Sequence, residues 1–344
     1  MSGKREQLVR LLDRVGLWKG VIRARSVLPS PWLTVITYHR VAWPAEEKRF
    51  DTGVIDATPE QFERQIDFLA RNFNVIGIEE VLHFLSGGTL PKKAILITFD
   101  DGYLDCLENA LPIMQKHGVK GVFFIATDYA EKRRLYWWDR IAYALRHTSK
   151  SSLELSYPRK QSVDLTGDVD VAKNGLFKLV KSESGLDLER FLQELFAEAD
   201  IEWSPAIEKS LANELIMTWD QISELEKAGM DVHSHTRTHR VLGTLNEEEL
   251  DSELTGSRKD LSSYLDGKVE AVAYPVGYSI AGNDAIRGAV ESAGYHIGFT
   301  NQSGVNLTTG TIDPLDVRRC AMDIDMSDEM FRGIMAVPYL SRTR

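Results

Sequence analysis

Two acids, Asp100 and Asp101, stand side by side just beyond the apolar run Ala94-Ile95-Leu96-Ile97 and just before Gly102 and Tyr103. A short unbroken apolar run reads as a strand buried on both faces. Successive side chains of a strand point to opposite faces. Two carboxylates at its tip can therefore do different work, one holding a cation while the other takes a proton. Far downstream, His235 and His239 lie four apart in Ser234-His235-Thr236-Arg237-Thr238-His239. At that spacing two imidazoles project from one side of a helical turn, as in other zinc sites. Two imidazoles and one carboxylate leave positions open for water and substrate, which is the catalytic form of such a site. A divalent ion there lowers the pKa of bound water to about 7. The remaining aspartate then needs only to take the water's proton. This set suits hydrolysis of an amide or ester.

The other histidines suit this task less well. His233 could ligate in place of His235, but the spacing to His239 favours His235. His83, His117 and His147 fall in expected helices, and His296 opens a late strand, so none receives a role.

The elements that must position these groups follow a regular alternation. Strands are expected over 33–39, 74–76, 94–99, 121–126, 230–233, 269–274, 296–300 and 317–321. Helices open at Thr58-Pro59 (threonine as cap, proline in the first turn), Ile78, about Asp105, Trp219, Asn246 and about Asp284. Strand alternating with helix implies a parallel sheet, and in barrels the active site lies where the strands end. His39, Asp100, Asp101, His235, Tyr274 and Pro275 all fall at expected strand ends. Between about 130 and 216 the alternation breaks: 148–175 is polar and turn-rich, and 176–199 looks helical again. This reads as an insertion. The expected organisation is a segment 1–32, then a barrel domain 33–344 carrying the insertion.

The chain has 344 residues and a net charge of −10, which argues against a general nucleic-acid binder. Cys106 and Cys320 are far apart and read as structural, reduced thiols. No secretory signal and no apolar stretch long enough to span a membrane is visible, which points to the cytoplasm. The N-terminus instead carries Lys4, Arg5, Arg10, Arg14, Lys19, Arg23 and Arg25 among apolar residues, against only Glu6 and Asp13. Such a basic amphipathic helix can lie on an anionic membrane face, making peripheral contact through residues 4–25, or pack on the barrel with its cations in water.

The chain resembles the polysaccharide deacetylases, the NodB-homology group of carbohydrate esterase family 4. The likeness rests on Thr98-Phe99-Asp100-Asp101-Gly102-Tyr103, on Ser234 to His239, and on Ala271-Val272-Ala273-Tyr274-Pro275-Val276-Gly277. It implies a distorted (β/α) barrel of seven or eight strands, a divalent metal, usually zinc, and removal of N-acetyl groups from an amino-sugar glycan. Carried over, Asp100 is the general base and Asp101, His235 and His239 are the metal ligands. The Tyr103 amide is an oxyanion donor, while Tyr274, Pro275 and Gly277 shape the substrate groove. Two departures stand out. The arginine that orients the base is Ala273 here, and Arg318 or Arg319 is the candidate replacement, Arg318 being taken as a substrate-side residue. A late histidine acid is absent. His39 resembles the early histidine of the exopolysaccharide-associated branch and is taken as the acid or as a substrate ligand.

Competing readings remain. Non-haem iron oxygenases share the two-histidine, one-carboxylate set, but that leaves Asp100 unexplained and does not fit the strand–helix alternation. A family member that only binds carbohydrate, and a deacetylase acting on a lipid-linked or nucleotide-linked sugar, are the others.

Overall fold

The computed structural model describes residues 2–27, 32–183, 185–308 and 312–341. Within helix and strand ends, the side chains of residues 2–5, 26 and 341 lie outside the described set, and with them Lys4 and Arg5. In chain order the elements are α1 (Ser2–Arg14), α2 (Leu17–Val27), β1 (Trp32–Tyr38), β2 (Arg40–Val41), β3 (Ile55–Ala57), α3 (Pro59–Asn72), β4 (Asn74–Ile76), α4 (Ile78–Leu85), β5 (Ala94–Phe99), α5 (Leu111–His117), β6 (Val122–Ile125), α6 (Thr127–Lys132) and α7 (Trp137–His147). There follow β7 (Ser152–Leu155), β8 (Gln161–Asp164), α8 (Val169–Ser182), α9 (Leu188–Glu198), α10 (Pro205–Leu215), α11 (Trp219–Lys227), β9 (Asp231–Ser234), α12 (Glu247–Tyr264), β10 (Ala271–Ala273), α13 (Asp284–Ser292), β11 (Ile297–Phe299), β12 (Asn306–Leu307), β13 (Cys320–Ala321) and α14 (Asp328–Ala336).

Two compact units result. The first holds 1–42, 55–131 and 217–344, and the second 43–54 and 132–216. In the first, the sheet runs β11-β10-β9-β6-β5-β1, all parallel, with β4 beside the start of β5 and β12 antiparallel to β1. The segment leading into β13 touches both ends of this order. Val317 bridges Phe299 of β11, and Cys320 pairs with Ile36 of β1. The strands thereby curl toward closure, which is the distorted barrel that alternation of strand and helix implies. One strand face makes an apolar core that includes Leu33, Val35, Leu96, Val122, Phe124, Ala271, Ile297 and Phe299, with Ile78 and Val81 of α4 packed into it. The opposite face packs outward: Tyr38 and Phe99 stack, and Phe62 of α3 meets both rings edge-on.

Several local signals act as expected. The Thr58 side chain accepts from Gln61 N at the start of α3, and Asn246 and Glu249 form a reciprocal capping box on α12. Other stretches differ. The helix expected from Asp105 opens with a π-helical turn over Cys106–Ala110 before α5. Pro112 lacks the N–H that a continuous α-helix needs, so the wider turn ends where α5 begins. Both cysteines are buried thiols.

The second unit contains an antiparallel hairpin, β7–β8, inside the stretch that reads as polar and turn-rich. Its alternation is real but sparse: Leu153, Leu155 and Val163 face a core of Ile141, Leu145, Leu176, Leu179, Phe191 and Leu195. The span 176–199, expected to be helical, holds parts of two helices, α8 and α9, each opened by an aspartate cap, Asp168 and Asp187. Residues 43–54 join this unit through Asp51, whose carboxylate takes Lys173 Nζ at 2.6 Å, both side chains being buried.

Candidate active site

β5 ends at Phe99, and the chain then turns sharply. Asp101 takes φ +75° and Gly102 φ +83°. A non-glycine residue in that region is strained. The turn separates the two carboxylates by partner. Asp101 Oδ1 lies 3.3 Å from His235 Nε2 and 3.5 Å from His239 Nε2. The Asp100 carboxylate instead takes both terminal nitrogens of Arg319, each at 2.7 Å.

His235 follows β9, and its main-chain N–H continues that strand's ladder to Ile125 O at 2.8 Å. The two histidines do not share a helical turn. Thr236 and His239 have φ +65° and +55°, and 235–239 is an irregular loop. Its shape comes from α12 and α6. Glu253 Oε2 accepts the main-chain N–H groups of Arg237 and Thr238, both at 2.9 Å, and its other oxygen takes the Thr238 hydroxyl. Asp260 accepts Arg237 Nε and the Thr127 hydroxyl, both at 2.8 Å. These clamps replace the hydrogen bonds a helix would supply, so the histidines converge without one.

The donor set fits a divalent ion. Asp101, His235 and His239 each bring a ligand atom to within 4.8 Å of the others. His235 Nδ1 is 2.8 Å from Ala273 O. A carbonyl can only accept, so that nitrogen carries the proton and Nε2 is the atom that faces the Asp101 carboxylate. Burial pushes the His239 pKa down to about 4 against the opposing pull of Asp101, so this ring is uncharged at neutral pH. Two imidazole rings beside one buried carboxylate are the donors, and the histidine–carbonyl bond the support, that zinc-type ligation uses. His233 stays outside: it is buried, its pKa is pushed down to about 3 by burial, and its Nδ1 meets the Glu270 N–H at 3.4 Å.

Burial alone would raise the Asp100 pKa. Arg319, with His235 adding to it, outweighs burial and holds the carboxyl well below the usual carboxylate range. Arg319 is itself fully buried and anchored by Thr300 O at 3.0 Å and by the hydroxyls of Thr37 and Thr98 at 3.2 and 3.3 Å. Of the two arginines offered by the sequence, Arg319 is the one that pairs with Asp100. Arg318 is not the one: its main chain pairs with Asn306 and its side chain runs past Gly304.

His39, after β1, points Nδ1 at Asp56 Oδ2 at 3.0 Å, and its main-chain N–H binds the same oxygen. Burial would lower the His39 pKa, yet Asp56, with Asp101 and Asp100 behind it, raises it to about 9. Asp56 was not legible beforehand; it sits in the three-residue strand β3, which pairs with β2. A histidine in need of a carboxylate partner was the only available signal.

The third motif is placed differently from expectation. Tyr274 is buried and donates its hydroxyl to Leu315 O at 2.9 Å, so it braces the strand ends and does not reach a sugar. Pro275 and Gly277 are buried as well. Gly277 has φ +74°, and a Cβ there would lie 2.3 Å from Asn301 N, so only glycine fits. This turn exposes Val276 and Tyr278 instead. Tyr103 is buried, with the Arg40 guanidinium 5.1 Å from its ring centre.

Parallel strands whose C-terminal ends gather two imidazoles, paired acids and a buried arginine define an α/β-barrel enzyme. The chain belongs to the polysaccharide deacetylase family, whose model matches residues 87–159 and 190–298. It is 21% identical over 274 residues to the polysaccharide deacetylase YxkH of Bacillus subtilis, covering 79% of this chain and 65% of that one. It is 27% identical over 181 residues to a poly-β-1,6-N-acetyl-D-glucosamine N-deacetylase of Staphylococcus aureus, covering 49% and 57%. The chain thus spans only about 57–65% of the length of these curated relatives. In fold it matches IcaB from Ammonifex degensii with a TM-score of 0.54 at 18% identity, over 90% of this chain and 97% of that one. The Streptococcus pyogenes deacetylase PplD, solved with acetate, gives 0.55 at 18%, over 87% and 96%.

Proposed function

We propose that this chain is a metal-dependent hydrolase that removes N-acetyl groups from amino sugars of a glycan. The observation that carries this reading is the division of labour between adjacent acids, Asp101 facing two histidine nitrogens and Asp100 held by Arg319. Asp101, His235 and His239 would hold the ion, zinc being the metal that such donors favour. When bound, it supplies polarisation of the acetamide oxygen and a water acidified to a pKa of about 7.

The chain's own residues do the rest. Asp100 accepts the proton of the attacking water. Its depressed pKa makes it a weak base, so it works only on a water already acidified. Arg319 fixes both carboxylate oxygens and keeps them from turning toward the histidines. As the C–N bond breaks, His39 gives its proton to the leaving nitrogen, and Asp56 holds the imidazole by Nδ1 so that Nε2 faces the reaction. Acetate and a free amino sugar leave, with one water consumed. By family resemblance the Tyr103 amide is the oxyanion donor. The S. aureus relative's name and the early histidine favour a polymer of N-acetylglucosamine as substrate.

Arg319 on Asp100 and Asp56 on His39 favour this reading over a purely carbohydrate-binding protein. The test is acetate release from an N-acetylglucosamine oligomer by zinc-reconstituted protein. Turnover by wild type and none by Asp100→Asn supports the reading; equal acetate release from both removes Asp100 from the role.

A further inference from the structure

The first two helices carry more apolar surface than their packing uses. Val9, Trp18 and Ile22 turn inward. Trp18 donates its indole N–H to Val9 O at 3.3 Å, and a Cβ at Gly333 of α14 would meet Val9 at 3.1 Å and Trp18 at 3.4 Å. Asp13 takes Arg332 of α14 at 2.7 and 3.1 Å. Arg25 is committed internally, to Met335 O at 2.6 Å and over the Trp32 ring at 4.8 Å. These contacts account for one face of the helix pair.

A second face remains. Leu8, Leu11, Val15 and Leu17 are 54%, 57%, 71% and 42% exposed. Leu8, Leu11 and Val15 stand at i, i+3 and i+7, one stripe along α1. Arg10, Arg14, Lys19 and Arg23 are exposed on the same helix pair, Lys19 and Arg23 along a groove that also holds Asp67 and Asp328, and among the described residues no carboxylate forms an ion pair with Arg14, Lys19 or Arg23. The chain as a whole is strongly acidic, at −10, yet this stretch has seven cations against two acids. Packing on the barrel explains the inner residues and leaves the outer stripe and its cations without a purpose. Apolar side chains flanked by unpaired cations complement a surface that is itself apolar beneath and anionic above.

We propose that α1 and α2 form a docking surface for an anionic lipid bilayer. Leu8, Leu11, Val15 and Leu17 enter the acyl boundary, and Arg14, Lys19 and Arg23 meet lipid phosphates. The topology keeps the site clear of the bilayer. Lys92, just before β5, reaches Val27 O at 3.3 Å, which puts the end of α2 at the strand starts. Asp100 and Asp101 follow the far end of β5, which is parallel to β1.

The experiment is co-sedimentation of the full chain with vesicles of phosphatidylcholine alone or mixed with phosphatidylglycerol, at low and high salt. Binding is expected only to the mixed vesicles and is expected to fall with salt. The double variant Leu11→Glu/Val15→Glu is expected to lose it. Arg14→Glu/Lys19→Glu/Arg23→Glu is expected to weaken it by about 100-fold or more, each cation near such a surface being worth roughly fivefold. The Leu11→Glu/Val15→Glu variant is expected to melt at the wild-type temperature, since Leu11 and Val15 are 57% and 71% exposed. Equal binding to the two vesicle types, or wild-type binding by both variants, overturns the proposal. So does a wild-type dimer in solution that Leu11→Glu/Val15→Glu converts to monomer, because the stripe then belongs to a second copy.

Discussion

The two halves of the site solve opposite electrostatic problems with neighbouring residues of the same type. On the Asp101 side, two imidazoles and a carboxylate bring their donor atoms to one point, an arrangement that a cation could complete. On the Asp100 side, a carboxylate and a guanidinium close on each other through two 2.7 Å bonds in full burial. The first half is built to receive a ligand and the second to be complete without one. Sequence neighbours thus differ because their tertiary partners differ.

The sharpest way to break this contrast is to exchange the roles. Asp100→Asn is expected to reduce acetate release by about 10³-fold or more while zinc content, measured by elemental analysis, stays at the wild-type level. His235→Ala is expected to lose both. A zinc-free Asp100→Asn protein would erase the distinction between the halves.

Removing the closed pair from the other side tests its completeness. Arg319→Met leaves a buried, unpaired carboxylate and is expected to cost about 3–5 kcal/mol in denaturant unfolding. The pair also sets a pH dependence. The folded Asp100 pKa lies below its unfolded value of about 3.9. Its stabilisation is therefore fully present above that value and is lost as pH falls toward the folded pKa. The stability gap between wild type and Arg319→Met, read by denaturant unfolding across the acid range, is therefore expected to narrow as pH falls, because without Arg319 burial raises the Asp100 pKa.

A subtler contrast lies between His39 and the histidines beside Asp101. His39 is raised to about 9 and His239 lowered to about 4, so one ring is cationic where the other is neutral. Because the His39 pKa is raised on folding, its stabilising effect is full below about pH 6.5 and fades as pH climbs through about 9. Asp56→Asn is expected to move the alkaline limb of the rate profile down by one to two pH units, with little change in zinc content. An unmoved limb would detach Asp56 from His39. The smallest effect is expected from Glu253→Gln, which loosens the histidine loop; zinc affinity, read by competition with a chelator, is expected to fall about tenfold.

Much of this was legible in advance where the signal is local. The buried run ending at Asp100 and Asp101, the strand before His235, and the caps at Thr58 and Asn246 follow from composition and short-range hydrogen bonding. The hairpin over 152–164 was missed because its alternation is short and set among polar residues. Helix α14 was missed too, although Ser327 caps it. The helical turn expected for His235 and His239 was wrong for a physical reason. Glu253 and Asp260 of α12 supply from outside the bonds that would otherwise have required a helix.

By itself the sequence determined which chemistry was available, because residue type and strand position are properties of a few consecutive residues. It determined the paired acids, the two histidines and the alternation that brings strand ends together. Only the tertiary structure decided that Arg319 and not Arg318 holds Asp100, that Asp56 serves His39, and that Tyr274 braces the core. Each of those outcomes depends on which side chain, tens or hundreds of residues away, can reach a buried charge or hydroxyl, and spacing along the chain carries no record of that distance.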